Sequence, residues 1–218
     1  MIKNKLYPIN ILLLFILFSP QNVFPADVSK FDIKGIHLGD SYSKIKNKIP
    51  CSNPIVDKRY VDGSDKYIYN TLVDCTYDKE GGFYLIFSRD KKITEIHKGF
   101  LFPDVQPDHK QLIKKIISKY GQPTMSTNCT SDSEGNSFKM CWGDCIKYDL
   151  KNNRYWHGAS IKPGKHGQSL LVELSTNRAE TQTALTLTLQ DYLKINNTQQ
   201  WREKMRLQVR KEKANIDF

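Results

Sequence analysis

Five cysteines, Cys51, Cys75, Cys129, Cys141 and Cys145, are the residues of this chain best suited to chemistry. The last two flank Trp142 in KMCWGDC, and such a pair could serve as a redox centre, a metal knuckle or a disulfide. A redox pair is separated by two residues at a helix start, where the helix dipole lowers a thiol pKa. Here three residues intervene and the flanks have strand character. Zinc ligands could be drawn from Cys129, Cys141, Cys145 and His157, but the paired close spacing of a knuckle is missing, so no metal is expected. Cys145 with His157 is no more distinctive as a nucleophile pair, because five Cys and five His offer one in any arrangement.

That leaves disulfides. Two stretches look alike: GDSYSKIKNKIPC leading to VDCTYD, and DHKQLIKKIISKYGQPTMSTNC leading to MCWGD. Each has a helix, a proline, a cysteine, and a strand carrying a second cysteine with Asp three residues on. The likeness predicts staples Cys51–Cys75 and Cys129–Cys141, with Cys145 a free thiol. The alternatives are Cys129–Cys145 and a local Cys141–Cys145 bridge.

Other constellations are thinner. Glu95 and His97 share one face of a strand, and His157 or His97 with Asp144 or Glu95 would be the acid–base pair of a hydrolase acting on cell-wall or surface material. No Ser, His and Asp set stands in recognisable order, so no catalytic residue is assigned and the enzyme is the alternative expectation. KPGKHGQ lacks the spacing of a phosphate loop, and SDSEGNS lacks the distal Glu of a calcium loop. No cofactor is expected.

The elements that would carry these residues follow from periodicity. Phe31, Ile33, Ile36 and Leu38 suggest a short strand; Asp40 or Ser41 then caps a helix with Tyr42, Ile45 and Ile49 on one face, stopped by Pro50. Strands are expected over 67–77, 83–88 and 93–102. A second helix starts at the Asp108/Gln111 capping box and ends at Gly121 and Pro123, with Leu112, Ile113, Ile116, Ile117 and Tyr120 apolar. Further strands are expected over 138–142, 155–161, 170–175 and 184–189. From Asn197 a basic helix presents Trp201, Met205 and Val209 every fourth residue, with Arg202, Arg206 and Arg210 among its cations.

The expected fold is therefore α+β: two helix-plus-antiparallel-meander units, 27–104 and 105–190, forming a sheet with helices packed on it, followed by a C-terminal helix over 191–218. Residues 1–26 read as a signal peptide, with Lys3 and Lys5 before an apolar run from Ile9 to Phe18 and a cleavage site at Ala26. Cleavage would reduce the net charge of +10 by two, because residues 1–26 hold two lysines and no acid. Such a chain suits a protein partner, an anionic membrane surface or a cell-wall polymer; export disfavours nucleic acid.

GIHLGDSYSKIKNKIP before the first meander and IISKYGQPT at the end of the second helix resemble the small outer-membrane lipoprotein family SmpA/BamE and the β-lactamase-inhibitor protein. That resemblance implies an exported, cofactor-free domain that works by binding proteins. Exposed Tyr and Trp commonly anchor such interfaces, so Tyr67, Tyr69, Tyr155, Trp156, Trp201, Arg202, Arg206 and Arg210 form the expected binding surface. A periplasmic or secreted, non-enzymatic binding protein of inhibitor or assembly type is the leading expectation.

Overall fold

The structure is a computed structural model that describes residues 27–62, 64, 66–78, 81–103, 107–131, 135–150, 156–177 and 182–214. The signal peptide expected over 1–26 and Tyr155 lie outside the described residues. Ten strands follow one another as β1 (Ile55–Tyr60), β2 (Ile68–Asp78), β3 (Gly81–Ser88), β4 (Ile93–Pro103), β5 (Met125–Ser131), β6 (Gly135–Gly143), β7 (Cys145–Asp149), β8 (Trp156–Pro163), β9 (Gln168–Thr176) and β10 (Gln182–Asp191). Helix α1 (Tyr42–Ile45) precedes β1, α2 (His109–Tyr120) separates β4 from β5, and α3 (Tyr192–Ala214) follows β10.

All strand pairs are antiparallel, in the order β1-β2-β3-β4-β10-β9-β6-β5-β8-β7. This overturns the two helix-plus-meander units. The first four strands do run in sequence order, but β10 returns to pair with β4 from Gln182 opposite Pro103 to Gln190 opposite Glu95, which fuses everything into one sheet. The later half holds six strands. The β7–β8 hairpin joins β5 through Trp156, His157 and Gly158 of β8, and the Thr127 hydroxyl of β5 donates to the Ala159 carbonyl at 3.0 Å. The result is predominantly antiparallel β rather than two α+β repeats.

Alternation decides the faces. On β10, Leu185, Leu187 and Leu189 are buried while Thr186 and Thr188 are half-buried; β9 repeats the pattern with Leu170, Val172 and Leu174. These positions join Val73, Phe83, Leu85, Phe87, Ile96, Met140 and Trp142 in one core layer. The helices cover that layer, with Ile45 from α1 and Ile116 and Tyr120 from α2.

Helix α2 ends as its sequence dictates: the Asp108 carboxylate accepts from the Lys110 and Gln111 N–H groups, and Gly121 closes it at φ +79°. The Trp142 indole donates to the Gly121 carbonyl at 3.0 Å, locking α2 to β6. The expected helix after Ser41 is instead a single α-turn followed by a 3-10 turn over Lys46–Lys48. Asp40 does not cap it; its carboxylate accepts from the His37 N–H and the Lys44 ammonium. Nor is there a strand through Phe31 and Leu38, because Lys34 and Gly35 both take positive φ and fold Ile33 back onto Ile36.

Candidate functional site

Among the described residues two disulfides are present: Cys51–Cys75, with Cα atoms 5.7 Å apart, and Cys141–Cys145, with Cα atoms 6.2 Å apart. The second corrects the expected Cys129–Cys141 staple and the free thiol at Cys145. The β5–β6 register gives the reason. Cys141 stands opposite Met125 and Cys129 opposite Ser137, an offset of four residues or roughly 13 Å along a strand, whereas a disulfide needs Cα atoms within about 7 Å. Gly143, at φ +81°, reverses the chain and returns Cys145 to Cys141. Each bridge fastens one margin of the sheet: Cys51 lies just ahead of the edge strand β1, and Cys145 opens the edge strand β7. Two such bridges are consistent with an oxidising extracellular or periplasmic compartment.

The residues expected to form a binding surface are divided by the fold. Tyr67, Tyr69, Trp201, Arg202 and Arg206 converge where α3 meets the start of β2. Tyr67 meets Trp201 edge to face at 6.4 Å, the Arg202 guanidinium lies 4.5 Å over the Tyr69 ring, and Arg89 lies 4.8 Å over Trp201. Arg206 donates to the Asp62 carboxylate at 2.7 Å, and the Tyr67 hydroxyl donates to Glu212 at 3.2 Å. These aromatics hold the chain's own helix. The seam of Trp201, Met205 and Val209 faces inward, with Val209 buried, while Arg210 is exposed. Trp156 is on β8, away from this cluster.

Asp144 is occupied by structure. Its carboxylate accepts from the His166 N–H at 2.6 Å and the Gly167 N–H at 3.0 Å, inside the KPGKHGQ turn, which lacks the spacing of a phosphate loop. A carboxylate from this chain fills the place an anion would take.

Glu95 and His97 do lie together on the side of the sheet away from α1 and α2. Tyr84, opposite His97 on β3, stacks on its ring with centroids 4.5 Å apart and an interplanar angle of 5°. The Tyr84 hydroxyl donates to Glu95 at 3.0 Å, and His97 Nδ1 is 3.2 Å from the Thr188 hydroxyl. Burial holds the Glu95 carboxyl above its ordinary value, against the pull of the Tyr84 hydroxyl, and burial holds the His97 imidazole below its own. The arrangement links Glu95 to Tyr84 and His97 to Thr188 rather than aligning a carboxylate on an imidazole.

Sequence inspection passed over β1. All six of its residues are exposed, among them three large apolar side chains, Ile55 at 55%, Val56 at 49% and Tyr60 at 38%. Among the described residues it pairs on one side only, with β2 from Ile55 opposite Asp74 to Tyr60 opposite Ile68. In an antiparallel ladder alternate residues point their N–H and C=O groups away from the neighbour, so about half of β1's backbone groups face outward. The run IVDKRY carries the signal only in its β-branched start and its Tyr.

Among the described residues no cluster of three or more His, Cys, Asp and Glu is placed to hold a metal ion, and no helix is long and apolar enough to cross a membrane. The chain matches no protein-family model, no curated protein and no solved structure.

Proposed function

We propose that this is an exported, non-enzymatic protein-binding domain that takes an extended segment of its partner onto the free edge of β1. Export is supported by the basic-then-apolar start of the chain and by the two disulfides. One observation carries the mode of binding: an edge strand exposed along its whole length that presents Ile55, Val56 and Tyr60 beside unpaired backbone groups. Strand addition draws affinity from main-chain hydrogen bonds and specificity from the side chains that alternate beside them. The Cys51–Cys75 bridge fixes the approach to β1, so little ordering entropy is lost when a partner strand arrives. Asp57, Lys58 and Arg59 in the middle of the strand oppose indiscriminate pairing and select a segment of complementary charge.

A random-peptide library selected on the oxidised protein, followed by amide exchange of the complex, tests this. Enriched peptides should alternate apolar residues and slow exchange across 55–60, and Val56→Asp should abolish the protection. Peptides that slow exchange only in α3 or on the Tyr84–His97 face would refute it.

A further inference from the structure

Edge strand β1 is complementary to itself. Its side chains alternate between two faces, Ile55, Asp57 and Arg59 on one and Val56, Lys58 and Tyr60 on the other. On the first face the Arg59 guanidinium lies 3.6 Å from the Asp57 carboxylate, and the two side chains remain 43% and 56% exposed, so each can meet a second opposite charge.

A second copy reaches this edge as an antiparallel strand through a two-fold axis perpendicular to the sheet, which reverses strand direction and keeps each face on its own side. Directly opposite residues then share a face, so the axis must pass through a residue, and charge decides which one. Centred on Asp57, the pairing sets Asp57 against its own copy and Arg59 against Ile55. Centred on Arg59, it sets Arg59 against its own copy and Asp57 against Val61. Centred on Lys58, it sets Asp57 opposite Arg59 twice and Val56 opposite Tyr60 twice, leaving Lys58 against Lys58 as the one like-charge contact. Axes nearer either end of the strand pair fewer residues.

We infer that the segment received by β1 is β1 of a second copy, in the register centred on Lys58, giving a closed dimer with one sheet continuous across its axis. Charge complementarity singles out this occupant, because the Asp57 and Arg59 pair of each chain completes a ring of alternating charges with the same pair of its partner. Val56 and Tyr60, 49% and 38% exposed, cover one another on the opposite face. The inference rests on the edge reading above and names its partner. Two six-residue strands form a small interface, so the dimer is concentration-dependent rather than permanent.

Sedimentation velocity of the full oxidised protein over about 1–300 µM tests this, with amide exchange at both ends of the range. A monomer–dimer equilibrium is expected, with exchange over 55–60 slowing as the dimer fills. Arg59→Asp and Asp57→Arg each set like charges opposite one another and should weaken the dimer at least about tenfold. Both positions are exposed, so neither change reaches the core. An equimolar mixture of the two variants should associate as a heterodimer, and the two changes combined in one chain should restore the homodimer, since each arrangement returns opposite charges across the axis. Lys58→Ser removes the like pair and should tighten the dimer about threefold. A wild-type protein monomeric throughout, a dimer with 55–60 unprotected, one indifferent to either single variant, or no association on mixing would each overturn the inference. Failure of the edge reading looks different: the selected peptides would leave 55–60 unprotected, whereas a monomer whose β1 they still protect loses only the homodimer.

Discussion

Removing the two disulfides separately should have unequal effects, and the inequality can be worked from the chain. Cys51 and Cys75 are 24 residues apart and close a loop of 25; Cys141 and Cys145 are four apart and close a loop of five. The loop-entropy relation gives about 3.5 kcal/mol for the first and about 2 kcal/mol for the second at 25 °C. With a urea m-value of about 2.5 kcal/mol/M, Cys51→Ala/Cys75→Ala should lower the unfolding midpoint by about 1.4 M and Cys141→Ala/Cys145→Ala by about 0.8 M. Both pairs also truncate a buried sulfur, Cys75 or Cys141, so the difference between them isolates loop length. The assay is equilibrium urea unfolding followed by tryptophan fluorescence, with native-state alkylation of each protein. Equal midpoint shifts, or a larger one for the short loop, would refute the entropic account. An alkylated Cys145 in the native wild-type protein would refute the connectivity itself.

Other perturbations bear on single contacts. Asp144→Ala strips the acceptor from two backbone donors and should destabilise by about 1.5–3 kcal/mol, with faster amide exchange at His166 and Gly167; addition of inorganic phosphate should partly restore protection at the vacated turn. Glu95 has its folded pKa raised by burial above 4.5, so folding is disfavoured once this carboxyl ionises. Glu95→Gln should therefore raise the melting temperature near pH 8 and lose that advantage below about pH 4.5, as thermal melts across pH would record. His97 has the opposite sign, its stabilisation being complete above 6.5 and lost as pH falls through its lowered folded value, and its NMR titration should have a midpoint below 6.5. Val209→Asp places a charge in a buried seam and should release the end of α3, read as rapid exchange over 201–214, with a loss of roughly 2–4 kcal/mol.

What was legible in the sequence followed the strength of local patterning. Helix α2 announced itself because its cap, apolar face and Gly stop agree, and β3, β4, β9 and β10 announced themselves because one buried face enforces alternation. Edge strands have no such face. β1 is exposed on both sides, so IVDKRY carries no period-two signal, and β7 fares the same with Ile146, Lys147, Tyr148 and Asp149 all exposed. Strand order was out of reach, since nothing local to ALTLTLQ says that its neighbours will be β4 and β9. Helix α3, Tyr192–Ala214, falls within the expected 191–218, but its cap is Asp191, which accepts from the Lys194 N–H, rather than Asn197 with Gln200. The internal likeness led to the Cys51–Cys75 bridge but failed for Cys129–Cys141, because the β5–β6 register holds those two cysteines four residues apart.

The placing of both bridges at opposite margins of one sheet has a consequence for self-association. Free edges at the two ends of an open sheet are the two halves of a head-to-tail contact, and copies joined β1 to β7 would form a ribbon that never closes on itself. Charged side chains within these short strands, Asp57, Lys58 and Arg59 at one end and Lys147 and Asp149 at the other, resist that outcome. Oxidation adds to this resistance by tethering each margin to its own neighbour, and because the two bridges are separate bonds, reduction of one loosens only its own margin.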